Sequence, residues 1–329
     1  MAAKTGNIIK YTLSFLLAGV LVWFAFRGID WTAFLAGLKL TRWLYVVLFC
    51  VMAVAAIALR MLRWQAMIAP VMPEVTCRRT WDAANIGNLI NVVLPGAGEF
   101  VRCGIVAGKK EKGGQVYEKV LGTIVMERIW DFLAVGVLFA LSLALKWDRF
   151  GTFFIEQIAA PLKGGLQLNL WYVLLLAVAL LSCTLGLVYR YRNRNRFCGR
   201  IAAGVKGLLQ GFTSFLRMKR KFLFLLYTVL IWLIYVLMSF VVLKAIPGLD
   251  ALSFTDALFL SAVGNIASVV PVPGGIGAYH YLLALSLSSL YAFSWESDIL
   301  FATLSHETHA LVVIALGLVS YAATAVRRG

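Results

Sequence analysis

"GNLINVVLPGAGEFVR", Gly87 to Arg102, and "GNIASVVPVPGGIGAYH", Gly264 to His280, are built on one frame. Each opens on Gly-Asn, passes through Val-Val and then breaks on Pro and Gly. Both lie inside apolar stretches, about 81–108 and 254–292. Proline removes a backbone donor and glycine admits positive φ, so a helix cannot run straight through either place. Each stretch therefore reads as a pair of half-helices, too short singly to cross a bilayer of about 30 Å.

The rest of the chain supports that reading. Of its 329 residues, 61% are hydrophobic and 14% charged, with a mean hydropathy of +0.86. A soluble domain carries about 25% charge. Several apolar runs approach the roughly 20 residues a membrane helix needs. The fold class is an all-α polytopic membrane protein, with full spans near 8–26, 43–62, 117–145, 169–189, 222–243 and 298–326. The run from Tyr11 to Phe26 follows Lys4 and Lys10 as a signal peptide would, but "AFRGIDW" offers no small-residue cleavage site. It is read as a retained first span.

A net charge of +16 would suggest nucleic acid in a soluble protein. Here the basic residues hold the topology instead, and no nucleic-acid partner is expected. Segment 190–221 is rich in Arg and Lys, contains no acid, and is assigned to the cytoplasm. Counting spans outward puts both termini, 63–80 and 109–116 on the same side and leaves Arg102 and Arg128 in the membrane. The first broken stretch then enters from the cytoplasm and the second from outside. Segments 8–145 and 169–326 become inverted repeats within one transmembrane domain. From Arg200 to Lys221 the pattern is amphipathic and suits the inner leaflet, with a calmodulin-target helix as the alternative. The five cysteines form no CxxC pair and suggest neither a disulfide framework nor a zinc site.

Irregular backbone at membrane depth persists where protein buries it or water reaches it. Paired interruptions in two repeats point to a transporter's substrate site. Half-helix N-termini attract anions such as phosphate. The candidate binding residues at the breaks are Asn88, Pro95, Gly96, Gly98, Glu99 and Arg102, then Asn265, Pro273, Gly274, Gly275, Gly277 and His280. Glu127, Arg128 and Asp131 in "VMERIWDFLAVG" fall near mid-membrane and join the set. The alternative for these charges is a self-neutralising structural cluster. His306, Glu307 and His309 in "TLSHETHALVV" are candidates for proton coupling. "HETH" lacks the spacing of HExxH, although a site using His280, His306 and His309 stays open. The GxG in each break is no dinucleotide fingerprint, since the third glycine is missing.

Taken together, "LPGAGEFVR", "ERIWD" and "PVPGGIGAYH" resemble the lysylphosphatidylglycerol synthase transmembrane region family, also called flippase-like integral membrane proteins. The resemblance covers nearly the whole chain. It implies movement between leaflets of an aminoacylated phospholipid or a lipid-linked glycan precursor. The family's Glu and Arg in the first break match Glu99 and Arg102. Its third-span charges match Glu127, Arg128 and Asp131, and its glycine-rich second break matches Pro273, Gly274, Gly275 and Gly277. Relatives often carry Arg-Glu after that last glycine, where Tyr279 and His280 stand here, which points to a different headgroup or coupling. No segment has the size of the fused synthase domain of some relatives, so no aminoacyl transfer is expected.

The expectation is thus a lipid flippase of the bacterial inner membrane, with no cofactor. GxxxxGK[ST] is absent, so coupling uses an ion gradient or none. Its partners would be lipids with anionic or zwitterionic headgroups, and a second copy or an envelope synthase would be compatible. The rival readings are a headgroup enzyme with a His-based metal site and an accessory subunit of such a synthase.

Overall fold

A computed structural model describes residues 16–108, 115–151, 220–268, 270 and 272–327, with isolated positions between 186 and 218. The expected span at 169–189 and most of the basic segment 190–221 lie outside the described residues, as does the start of the first span. Ten α-helices follow in order among the described residues: α1 (Leu16–Phe26), α2 (Trp31–Leu40), α3 (Trp43–Ile68), α4 (Cys77–Val93), α5 (Ala97–Ala107), α6 (Gln115–Leu145), α7 (Lys221–Ala245), α8 (Phe254–Ala267), α9 (Ala278–Tyr291) and α10 (Trp295–Val326). A π turn, Trp147–Gly151, follows α6, and a 3-10 turn, Pro273–Gly275, separates α8 from α9. There is no strand among the described residues.

Helices α3, α6, α7 and α10 are long and apolar enough to cross a membrane. The pair α1 and α2, bent by 83°, raises that number to five if it forms one span. Helix α2 was not anticipated. Asp30 starts it by accepting from the Thr32 and Ala33 amides at 2.8 and 3.2 Å, which satisfies two of the first-turn donors. Leu44, Val47 and Val51 on α3, Phe132 and Val137 on α6, and Leu311 and Val319 on α10 all face outward. Such a belt is costly in water and ordinary in lipid.

The broken stretches are where the sequence places them. Helices α4 and α5, of 17 and 11 residues, rise about 25 and 16 Å. Gly96 caps α5 with φ +79°, a conformation that β-carbons resist. Helix α5 folds back on α4, and glycine permits the approach. A β-carbon on Gly98 would strike the Gly87 carbonyl and Asn91, and one on Gly87 would strike Arg102. The Gly98 amide donates to Asn91 Oδ1 at 2.8 Å and fixes the register. Helices α8 and α9, with 14 residues each, repeat the design. Gly274, Gly275 and Gly277 between them all have positive φ.

Packing between the halves is reciprocal. Helices α3 and α7 pack on each other. Helix α6 packs on α8 of the other half, and α10 packs on α4. Within each half the broken pair packs on the long helix that follows it: α5 on α6, α9 on α10. Each crossing ends in an ion pair. Lys146, just past α6, reaches Asp256 on α8 at 2.7 Å, and Arg327, just past α10, reaches Asp82 on α4 at 2.9 Å. The larger core joins α7 to α10 with Phe49 and Ala53 of α3. A second core of Trp64, Ile68, Cys103, Val106, Val120 and Ile124 closes α3 over α5 and α6.

Candidate functional site

Three helices bring seven charges together. Arg60 and Arg63 on α3 share a face, as do Glu127 and Asp131 on α6. Arg63 Nη2 lies 2.6 Å from Asp131 Oδ1 and 3.4 Å from Glu127 Oε1. Arg60 Nη2 lies 3.3 Å from Asp131 and 3.6 Å from Glu127, and its Nη1 donates to the Tyr235 hydroxyl at 3.1 Å. From α5, Arg102 Nη2 meets the other Glu127 oxygen at 3.0 Å. The Arg102 guanidinium also covers the Trp64 ring at 3.9 Å. Arg128 Nη2 pairs with Glu99 Oε1 at 2.8 Å, and its Nη1 sits 4.0 Å from Asp131 Oδ2. Arg63, Arg102 and Glu127 are at most 3% exposed, whereas the Arg128 side chain is 45% exposed.

The sequence reading treats Glu99/Arg102 and Glu127/Arg128/Asp131 as two clusters, but the fold crosses them into one. Arg102 serves Glu127, and Arg128 serves Glu99. A second correction concerns Arg60 and Arg63. The expected loop begins at residue 63, yet α3 continues to Ile68. A helix can carry two arginines against its neighbours when carboxylates there pair with them. Two arginines three apart beside a Trp at the end of an apolar run were the signal available for them.

Among the described residues four guanidinium groups thus face three carboxylates, Glu99, Glu127 and Asp131, leaving one positive charge over. Arg63 Nε and Nη1 and Arg102 Nε are buried with no hydrogen-bond partner among the described residues. Such donors are costly unless something accepts from them.

The remaining predicted residues divide. Pro95 and Gly96 form the turn of the first break. Asn265 spends an amide hydrogen on Ser261 O of its own helix at 2.8 Å, and Asn88 is half-buried beside the first break. Asn91, absent from the sequence set, is the residue that holds α5. The breaks themselves meet: the turn Pro273–Gly275 packs on α4 near the Val92 carbonyl.

At the second break, His280 on α9 and His306 on α10 stand with ring centres 5.2 Å apart. Glu307 Oε1 lies 2.9 Å from His306 Nδ1 and 3.6 Å from His280 Nε2. His306 Nε2 is 2.7 Å from the Gly274 carbonyl oxygen. The ligand atoms of His280, His306 and Glu307 lie within 4.8 Å of one another. His309 does not belong to that group, so the three-histidine set becomes two histidines and a glutamate.

These features define a polytopic α-helical membrane protein whose two interrupted segments meet beside a buried ionic cluster. The chain belongs to the lysylphosphatidylglycerol synthase TM region family, whose model matches residues 11–317. That membership ties it to lipid and envelope metabolism in the membrane. No curated protein and no solved structure matches it.

Proposed function

We propose that the chain moves a phospholipid or lipid-linked precursor between leaflets of a bacterial inner membrane. The observation that carries this is the uncompensated positive charge at the first break, with unfilled N–H groups on Arg63 and Arg102. A lipid phosphate supplies one negative charge and several acceptor oxygens, and guanidinium groups suit phosphate geometry. Arg128, with Glu99, lies toward the open side and meets the headgroup first. Glu127 and Asp131 hold the arginines in place between substrates.

The reciprocal packing supports the inverted-repeat reading, in which both broken stretches are re-entrant. Lys146–Asp256 then closes the outer face and Arg327–Asp82 the inner, and transport opens them in turn. The test is transport of a labelled phospholipid in proteoliposomes, with bound lipid measured by native mass spectrometry. Arg102→Gln protein should lose both transport and bound lipid while still eluting as a folded species. Transport and lipid binding equal to the unmodified protein would remove the reading.

A further inference from the structure

We infer that His280, His306 and Glu307 form a site for a divalent transition metal of the zinc type, seated at the second break and separate from the lipid. The Gly274 carbonyl can only accept a hydrogen bond. His306 Nε2, 2.7 Å from it, must therefore carry a proton. In a neutral imidazole Nδ1 then presents a lone pair, and it does so toward a carboxylate oxygen 2.9 Å away. Two acceptors at that distance require a cation between them.

A proton would serve two atoms, but three converge here. His280 Nε2 also faces Glu307 Oε1, at 3.6 Å. His280 is 2% exposed, so little water competes for its ring. A tetrahedral zinc ion with ligands at about 2.0–2.2 Å separates its donor atoms by about 3.3–3.6 Å, which small side-chain rotations reach from the present distances. A metal-bound histidine characteristically donates its second N–H to a carbonyl, as His306 does to Gly274. Two imidazoles and a carboxylate favour zinc, cobalt or nickel over the all-oxygen preference of magnesium or calcium. The Glu307 side chain is 45% exposed, which gives the ion a way in.

A bound ion would tie α9 to α10 and, through His306, hold the Gly274 turn in position. The break could then be fixed or released by a ligand other than the lipid.

The test uses detergent-purified full-length protein, stripped with a chelator and then exposed to Zn2+. Bound metal is counted by mass spectrometry, and Co2+ reports geometry through its visible absorption. About one zinc per chain is expected, with the intense bands of four-coordinate Co2+. His280→Ala and Glu307→Gln should each lose stoichiometric binding, whereas His309→Ala should keep it. Glu307 is half-exposed, so Glu307→Gln should still fold, and elution as a single species verifies this. Absence of stoichiometric zinc in the unmodified protein, which leaves a proton as the cation, overturns the site. So does zinc that persists in Glu307→Gln, or zinc lost equally in His309→Ala. Lipid counted in the same samples keeps this result apart from the lipid reading.

Discussion

Glu127 and Arg128 are adjacent in sequence and opposite in consequence. Glu127 is 1% exposed and lies within 3.6 Å of three guanidinium groups, so its neutralisation leaves buried positive charge without a partner. Breaking a buried pair from one side costs about 3–5 kcal/mol. Glu127→Gln should therefore lower the thermal midpoint of the purified protein sharply. Arg128→Gln, at a partly exposed pair worth about 1 kcal/mol or less, should leave the midpoint nearly unchanged and reduce bound lipid. Equal midpoints for the two variants would contradict the buried cluster. The charged residues of α5 and α6 were legible because a charge inside an apolar run stands out. Arg60 and Arg63 were not, because basic residues at the end of such a run ordinarily reach for the membrane surface. The crossed pairing was invisible too. Neighbours in sequence suggested Glu99 with Arg102, and only the fold of α5 against α6 exchanges their partners.

At the scale of the element, the second break separates two costs that glycine avoids. A β-carbon on Gly275 has room, with His306 Nε2 nearest at 3.5 Å, so a side chain there meets backbone strain from φ +78°. For an alanine this is about 1–2 kcal/mol, and it is more for a β-branched residue. On Gly277 the same carbon would lie 2.7 Å from the Val22 amide nitrogen of α1. Gly277→Ala should accordingly destabilise more than Gly275→Ala. Gly275→Val should lower the midpoint further than Gly275→Ala, whereas Gly136→Val, in open space on α6, should be mild. Thermal midpoints of the four proteins check the order, and a Gly136 variant as damaged as Gly275→Val would refute it. Both breaks could be found from Pro and Gly alone. Their contact with each other and with α1 could not, because a turn's neighbours are set by how its helices pack. Helix α2 was missed for a related reason: "WTAFLAGLKL" is too short to announce a span, and its cap, Asp30, looks like any loop acid.

For the molecule as a whole, inverted halves require the loop after α7 and the loop after α3 to face opposite sides. Pro247→Cys should react with a membrane-impermeant reagent added to intact cells, and Glu74→Cys should be shielded until the cells are opened; both positions are exposed in the fold. Labelling of both from outside would end the inverted arrangement. Charge bias and apolar run length are what the sequence offers for this topology, and the labelling decides it. The reciprocal contacts were not readable, since sequence periodicity says which face of a helix is apolar and not which helix will cover it. Those contacts also have a consequence in time. Asp82 and Arg327, joined at 2.9 Å, are 245 residues apart. Ribosomes add about 5–20 residues per second, so Asp82 waits on the order of tens of seconds for its partner. Helix α4 waits equally long for α10, and α6 must wait for α8. The first half therefore spends most of its synthesis with its partner faces bare, and the insertion machinery has to shelter it until the second half arrives.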